Sequence, residues 1–183
     1  NGMHGIFVAG SNGESLALTQ TERDRAIGIA LDEVGGRLPV MAGVMDTSTR
    51  RVIDNIKRLE QMGGRAAVVT PVFYARHATP DETVRHFEEI SRHTAIDLVL
   101  YNIPPFTGTT LKAETVFTIA RIDKVIGYKD SSGSFPSDAK LQPAAHVAIR
   151  SRPWPCRAWP ATPESWVAGP AWPARSSAAW RTA

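Results

Sequence analysis

Two apolar rhythms alternate along the first two-thirds of the chain. Short runs such as Gly5-Ile6-Phe7-Val8-Ala9, Pro39-Val40-Met41-Ala42-Gly43, Ala66-Ala67-Val68-Val69-Thr70, Asp97-Leu98-Val99-Leu100-Tyr101 and Val125-Ile126-Gly127-Tyr128 are near-continuously apolar. Runs of four to five residues that are apolar on successive positions read as strands buried on both faces. Between them the pattern changes to one residue in three or four. Val52, Ile56 and Leu59 place one apolar stripe on a helix from about Ser48 to Met62, which Gly63-Gly64 ends. Thr19-Gln20-Thr21-Glu22 and Thr79-Pro80-Asp81-Glu82 carry a hydroxyl followed three positions later by a glutamate, the signature of a capped helix start. They predict helices to about Glu33 and about His93, and a shorter helix is expected from Lys112 to Arg121.

A strand thus recurs about every 30 residues with a helix between each pair, which predicts an α/β protein with a parallel sheet. The two architectures of that kind are the (β/α)8 barrel and the open, doubly wound sheet. No Gly-x-Gly-x-x-Gly follows the first strand, which weighs against a dinucleotide fold. The unusual residues, Gly10 to Glu14, Thr70-Pro71, Tyr101-Asn102 and Lys129-Asp130, all fall just after the expected strands, on what would be one rim of a barrel. The expectation is a partial (β/α)8 barrel of about five βα units over residues 1–135, followed by an irregular C-terminal tail over 136–183.

The tail differs in kind. All five tryptophans and eight of the 13 prolines lie beyond Phe135. Pro153-Trp154-Pro155 and Trp172-Pro173 suit neither a central strand nor a helix interior. The mix of Pro, Ala, Arg, Trp and Ser is what a GC-rich coding region gives when read out of frame; a proline-rich binding tail is the competing reading. The tail also explains the charge. The chain carries +3 overall, but six of the 21 basic residues and only two of the 18 acidic ones lie from Pro136 onward. The body is therefore about neutral, without the basic stripe that a nucleic-acid partner requires. A single cysteine, Cys156, excludes a disulfide framework and a cysteine-based metal site. Without a long apolar run or a charged leader, the expectation is a soluble cytoplasmic protein with no membrane partner.

Three stretches could carry chemistry. Lys124-Val125-Ile126-Gly127-Tyr128-Lys129-Asp130-Ser131-Ser132-Gly133 reads as a strand that ends on a lysine and then turns. Desolvation at such an exit disfavours an ammonium, and a free amine attacks carbonyls. Gly10-Ser11-Asn12-Gly13-Glu14 is a glycine-flanked turn whose backbone N–H groups can hold a carboxylate, with a hydroxyl from Ser11. Tyr101 ends the fourth run, where a phenol can exchange protons with a developing alkoxide. Each has a plainer reading: a lysine with its head in water, an ordinary βα turn, a buried tyrosine with its hydroxyl satisfied. Together they describe one mechanism. Lys129 attacks the ketone of a 2-oxo acid, Tyr101 and Ser11 relay protons, and the Ser11-Asn12 turn holds the neighbouring carboxylate. The resulting iminium is an electron sink that lets a C–C bond form or break without a metal or another cofactor.

The motifs GSNGE, TPVFY, YNIPPFTG and GYKDSSG, in this order and spacing, resemble the dihydrodipicolinate synthase/N-acetylneuraminate lyase family of Schiff-base-forming (β/α)8 barrels. The resemblance implies a lyase or aldolase acting on pyruvate or another 2-oxo acid. It implies Lys129 as the Schiff-base lysine, Tyr101 as proton donor and acceptor, and Ser11 with Asn12 as the pyruvate-carboxylate turn. It further implies homotetramers built from tight dimers, with a tyrosine lent by the neighbouring subunit falling at Phe73 or Tyr74. Departures from the family pattern carry expectations too. A first βα unit and the last two strands are not seen, so a non-catalytic remnant of such an enzyme is the alternative reading. Dihydrodipicolinate synthases carry an arginine where this chain has Phe106, which disfavours aspartate semialdehyde as substrate.

Overall fold

A computed structural model describes residues 5–133 of the chain. The compositionally distinct tail, 136–183, lies outside the described residues. Five strands, β1 (Ile6–Val8), β2 (Val40–Gly43), β3 (Ala66–Val69), β4 (Asp97–Asn102) and β5 (Val125–Asp130), form one sheet in the order β1-β2-β3-β4-β5. Every neighbouring pair is parallel. The connecting helices are α1 (Gln20–Val34), α2 (Thr49–Gln61), α3 (Pro80–Arg92) and α5 (Ala113–Ala120), with a one-turn α4 (Pro104–Thr107) after β4. A strictly sequential parallel order is that of a barrel wall. A doubly wound sheet would reverse direction at a switch point, and this one does not.

The helices start where local chemistry dictates. At Thr19 and Thr79 the hydroxyl accepts from the N–H three residues on, and Glu22 and Glu82 reach back to the cap N–H. Each capping box satisfies two donors that the helix itself leaves orphaned. Pro80 occupies the first turn of α3, where its missing N–H costs nothing. Ser48 caps α2 through the Arg51 N–H.

The sheet has two unlike faces. Ala42, Ala67, Val69, Leu98, Leu100 and Val125 pack against Val52, Ile56 and Leu59 of α2, Phe87 and Ile90 of α3, and Val116 and Ile119 of α5. The opposite face gathers Val68, Val99, Tyr101 and Ile103 with Phe7, Met41 and Ile126, and among the described residues no helix residue joins them. In a barrel this second face is the interior. Alternation along each strand assigns side chains to one face or the other. The exception is β5. Leu98 pairs with Val125 but Val99 pairs with Gly127, so Ile126 is an extra residue, a β-bulge. Val125 and Tyr128 both pack on the helix side although they are three positions apart. Only a bulge between them permits this.

Two expectations are corrected here, and one element is new. Asn102 and Asp130, expected just past the strands, are the last residues of β4 and β5, one residue beyond Tyr101 and Lys129. The 10–14 turn does not use its glycines for left-handed backbone. Ala9 (φ 53°) and Glu14 (φ 49°) take that conformation, and Gly10 is extended. Gly10 is needed for room instead, because a Cβ there would lie 2.8 Å from the Phe7 ring. Finally, the sequence pattern gave no sign of α4.

Candidate active site

The bulge decides which way Lys129 points. In an unbroken strand, Val125, Gly127 and Lys129 would share the helix face. The extra residue shifts everything after Ile126 to the other side, a known use of bulges near active sites. Lys129 then sits directly across from Tyr101 on β4. Its Nζ lies 3.5 Å from the centre of the Tyr101 ring and 5.7 Å from that of Phe7. The two rings meet edge to face, 6.2 Å apart. The ammonium is thus held over the negative face of a phenol, with a second aromatic ring alongside.

Tyr101 is 3% exposed, and its hydroxyl donates to Ser131 Oγ at 3.3 Å. Burial pushes the phenol up. Interactions with Lys129, Ser131 and Ser11, and the charge of Lys129, outweigh that and hold it below the ordinary phenol range. A phenol made more acidic in this way is a better proton donor at neutral pH. The same set of partners places Ser11 beside the Tyr101 hydroxyl. Three of the four residues singled out from sequence, Lys129, Tyr101 and Ser11, therefore converge on one spot at the C-terminal ends of β1, β4 and β5.

Asn12 is different. It is exposed, on the 3-10 turn Ser11–Gly13, and no hydrogen bond ties its side chain to that trio among the described residues. The turn is closed by N–H groups of Gly13, Glu14 and Ser15 bonding back to Gly10 and Ser11 carbonyls. The N–H groups of Ser11 and Asn12, at its start, stand outside that pattern, as first-turn donors do. Gly43 makes the turn's approach possible: a Cβ there would lie 2.0 Å from the Ala9 carbonyl oxygen.

Sequence reasoning missed Ser131, Phe7 and the pair Asn102–Asp130. The sequence presents Ser131 only as turn chemistry. Its position two residues after Lys129 was the usable signal, since alternate residues of extended chain share a face. Asn102 is 1% exposed, and its amide donates to Asp130 Oδ1 at 3.2 Å.

The loop after β3 carries a further feature. Tyr74 is 94% exposed with φ 69°, a strained conformation for a bulky residue, whereas its neighbour Phe73 is half-buried. Behind the loop, His86 is 2% exposed, its Nε2 donating to the Thr70 carbonyl and its Nδ1 accepting from the Thr49 hydroxyl. Among the described residues no helix is long and apolar enough to cross a membrane, and no group of three or more His, Cys, Asp or Glu could hold a metal ion.

Comparison with known proteins follows the same lines. The dihydrodipicolinate synthetase family matches residues 1–149. A DapA-like lyase of Halobacterium salinarum is 39% identical over 136 residues, 74% of this chain and 44% of that protein. The 4-hydroxy-tetrahydrodipicolinate synthase of Methanothermobacter thermautotrophicus is 36% identical over 132 residues, 72% of this chain and 46% of that enzyme. The crystal structure of chloride-inhibited dihydrodipicolinate synthase from Acinetobacter baumannii, complexed with pyruvate, superposes with a TM-score of 0.76 at 28% identity. That match covers 81% of this chain and 50% of the other. The chain spans about half the length of the relatives it matches, and its sheet is part of the (β/α)8 barrel of these neighbours.

Proposed function

Since the chain belongs to the dihydrodipicolinate synthetase family, we propose that it is a carbon–carbon lyase or aldolase that forms a Schiff base between Lys129 and pyruvate or another 2-oxo acid. The observation that carries the reading is the bulge at Ile126, which brings the Lys129 amine over the Tyr101 ring and beside hydroxyls. An amine with aromatic walls and a phenol of lowered proton affinity nearby is equipped to add to a ketone and to manage the protons that addition moves. The pyruvate-bound Acinetobacter relative supports the substrate class.

In this reading Tyr101 donates a proton to the developing alkoxide, and Ser11 steadies the Tyr101 hydroxyl. The N–H groups at the Ser11-Asn12 start of the turn receive the substrate carboxylate. Phe106, 65% exposed on α4, supplies no guanidinium for a second carboxylate, which argues against aspartate semialdehyde as the partner aldehyde. Tyr74, exposed and strained, suits a residue lent to a neighbouring subunit better than Phe73 does, in a homodimer or homotetramer acting in the cytoplasm. No cofactor is assigned a role.

The test is reductive trapping. The 183-residue chain, incubated with pyruvate and borohydride, should acquire a reduced pyruvate adduct that peptide mass spectrometry places on Lys129, and Lys129→Ala should acquire none. Absence of any adduct on Lys129 would favour a chain without catalytic activity.

A further inference from the structure

Ser131 follows β5 immediately. Its hydroxyl oxygen lies 3.1 Å from Lys129 Nζ and 3.3 Å from Tyr101 Oη, touching both groups of the proposed reaction. Lys129 itself lies over the face of the Tyr101 ring rather than in its plane. The amine also interacts with the Tyr101 hydroxyl, but from over the ring face, away from the plane in which a phenol oxygen best receives a proton. The serine oxygen, within hydrogen-bond distance of both groups, offers the better-aligned path.

The position of Ser131 is enforced from the other side of the sheet. Its N–H donates to the Asn102 carbonyl at 2.8 Å, which ties it to the strand bearing Tyr101. The Asp130 carboxylate accepts from the Ser132 N–H at 2.7 Å, the Tyr128 hydroxyl at 3.0 Å and the Asn102 amide at 3.2 Å. Asn102 in turn accepts from the Leu111 N–H at 3.2 Å. These bonds lock the turn without engaging the Ser131 hydroxyl. A strand-end turn needs such backbone bonds; it has no need of a hydroxyl between an amine and a phenol.

Resting on the Schiff-base reading above, we infer that Ser131 is a catalytic residue whose hydroxyl carries the proton between Lys129 and Tyr101, with Asn102 and Asp130 as the positioning residues that hold it there. The lone pair of the Lys129 amine forms a C–N bond to the ketone carbon, and the carbonyl π pair moves to oxygen. The nitrogen is now positively charged and carries two protons. One passes to Ser131 Oγ as the serine proton passes to Tyr101 Oη and the tyrosine proton passes to the alkoxide. Both hydroxyls end as they began, and the carbinolamine is neutral. A second proton, drawn from solvent, converts its hydroxyl to water, which departs as the nitrogen lone pair closes the C=N bond. Amine, ketone and one proton have given iminium and water. At rest Tyr101 and Lys129 both donate to Ser131 Oγ; with the alkoxide formed, the Tyr101 hydroxyl turns to donate to it, leaving Ser131 to accept from the amine and donate to Tyr101, as a hydroxyl can.

The experiment follows the rate at which the pyruvate adduct on Lys129 accumulates, by borohydride quenching of the full chain after increasing times and mass spectrometry of the peptide. Ser131→Thr and Ser131→Val are the central pair, because they share one shape and differ in the hydroxyl. The valine variant should react about a hundredfold more slowly, the size of a lost proton-transfer group, with half-saturation by pyruvate little changed. The threonine variant should stay within a few-fold of the parent. Asp130→Asn should be slowed to an intermediate degree. If the parent chain forms the adduct and Ser131→Val forms it equally fast, the serine is only part of the turn and the inference fails alone. If the parent forms no adduct on Lys129, the Schiff-base reading fails and takes this inference with it.

Discussion

Acid should loosen this protein through one buried imidazole. His86 lies on α3 and bridges the Thr70 carbonyl after β3 and the Thr49 hydroxyl at the start of α2. Burial, reinforced by the nearby His77 and only partly opposed by the hydrogen bond to Thr70, lowers it from 6.5 to about 4. The folded state therefore binds this proton less tightly than the unfolded chain does. Well above pH 6.5 both states leave the ring neutral and pH has almost no effect through it. As pH falls from 6.5 towards 4 the unfolded state gains a proton that the folded state refuses, and stability falls. At 1.36 kcal/mol per unit the full loss is on the order of 3 kcal/mol, most of it already lost at pH 4.5. His77, lowered chiefly by burial, acts in the same direction. The assay is urea unfolding at pH 7.5 and 4.5 of the parent and of His86→Gln. The variant loses hydrogen bonds and starts less stable, but its further loss between the two pH values should be smaller than the parent's by about 2–3 kcal/mol. Equal losses in parent and variant would show that His86 does not titrate as argued.

Two further outcomes follow from packing and charge. Gly43→Ala would drive a methyl against the Ala9 carbonyl, 2.0 Å away; it should cost about 1–3 kcal/mol, read as a lowered urea midpoint, and should slow pyruvate trapping by displacing the Ser11 turn. Arg23 is 6% exposed, lies 3.8 Å from Asp46, and donates to Asn55 Oδ1 at 2.8 Å and to the Met45 carbonyl. Arg23→Ala should destabilise by about 3 kcal/mol, because the buried groups around it lose their donor. Exposed pairs such as Arg50–Asp54 should cost less than about 1 kcal/mol when removed, and unfolding titrations of both variants measure the contrast.

Much of this architecture was legible because it is coded locally. Caps at Thr19, Ser48 and Thr79 act through residues three positions away, and the stripes of Val52, Ile56, Leu59 need only helical geometry. Five apolar runs and their spacing sufficed for a parallel α/β sheet, and the motifs around Ser11, Tyr101 and Lys129 pointed to one site. What the chain's own pattern could not reveal was which way Lys129 faces. A regular strand would have aimed it at the helices, together with Val125. The core requires Val125 and Tyr128 on that same side, an odd spacing that alternation forbids, and the sheet absorbs the conflict by bulging at Ile126. Similarly, Ala9 and Glu14 rather than glycines take left-handed backbone, and Tyr74 is held strained and exposed. These outcomes depend on neighbours distant in sequence: the Phe7 ring filling the space above Gly10, the Ala9 carbonyl pressed against Gly43, strand β4 setting the register of β5. Periodicity reports the preferences of one segment; the direction of a side chain at a strand's end is settled by every element packed against it.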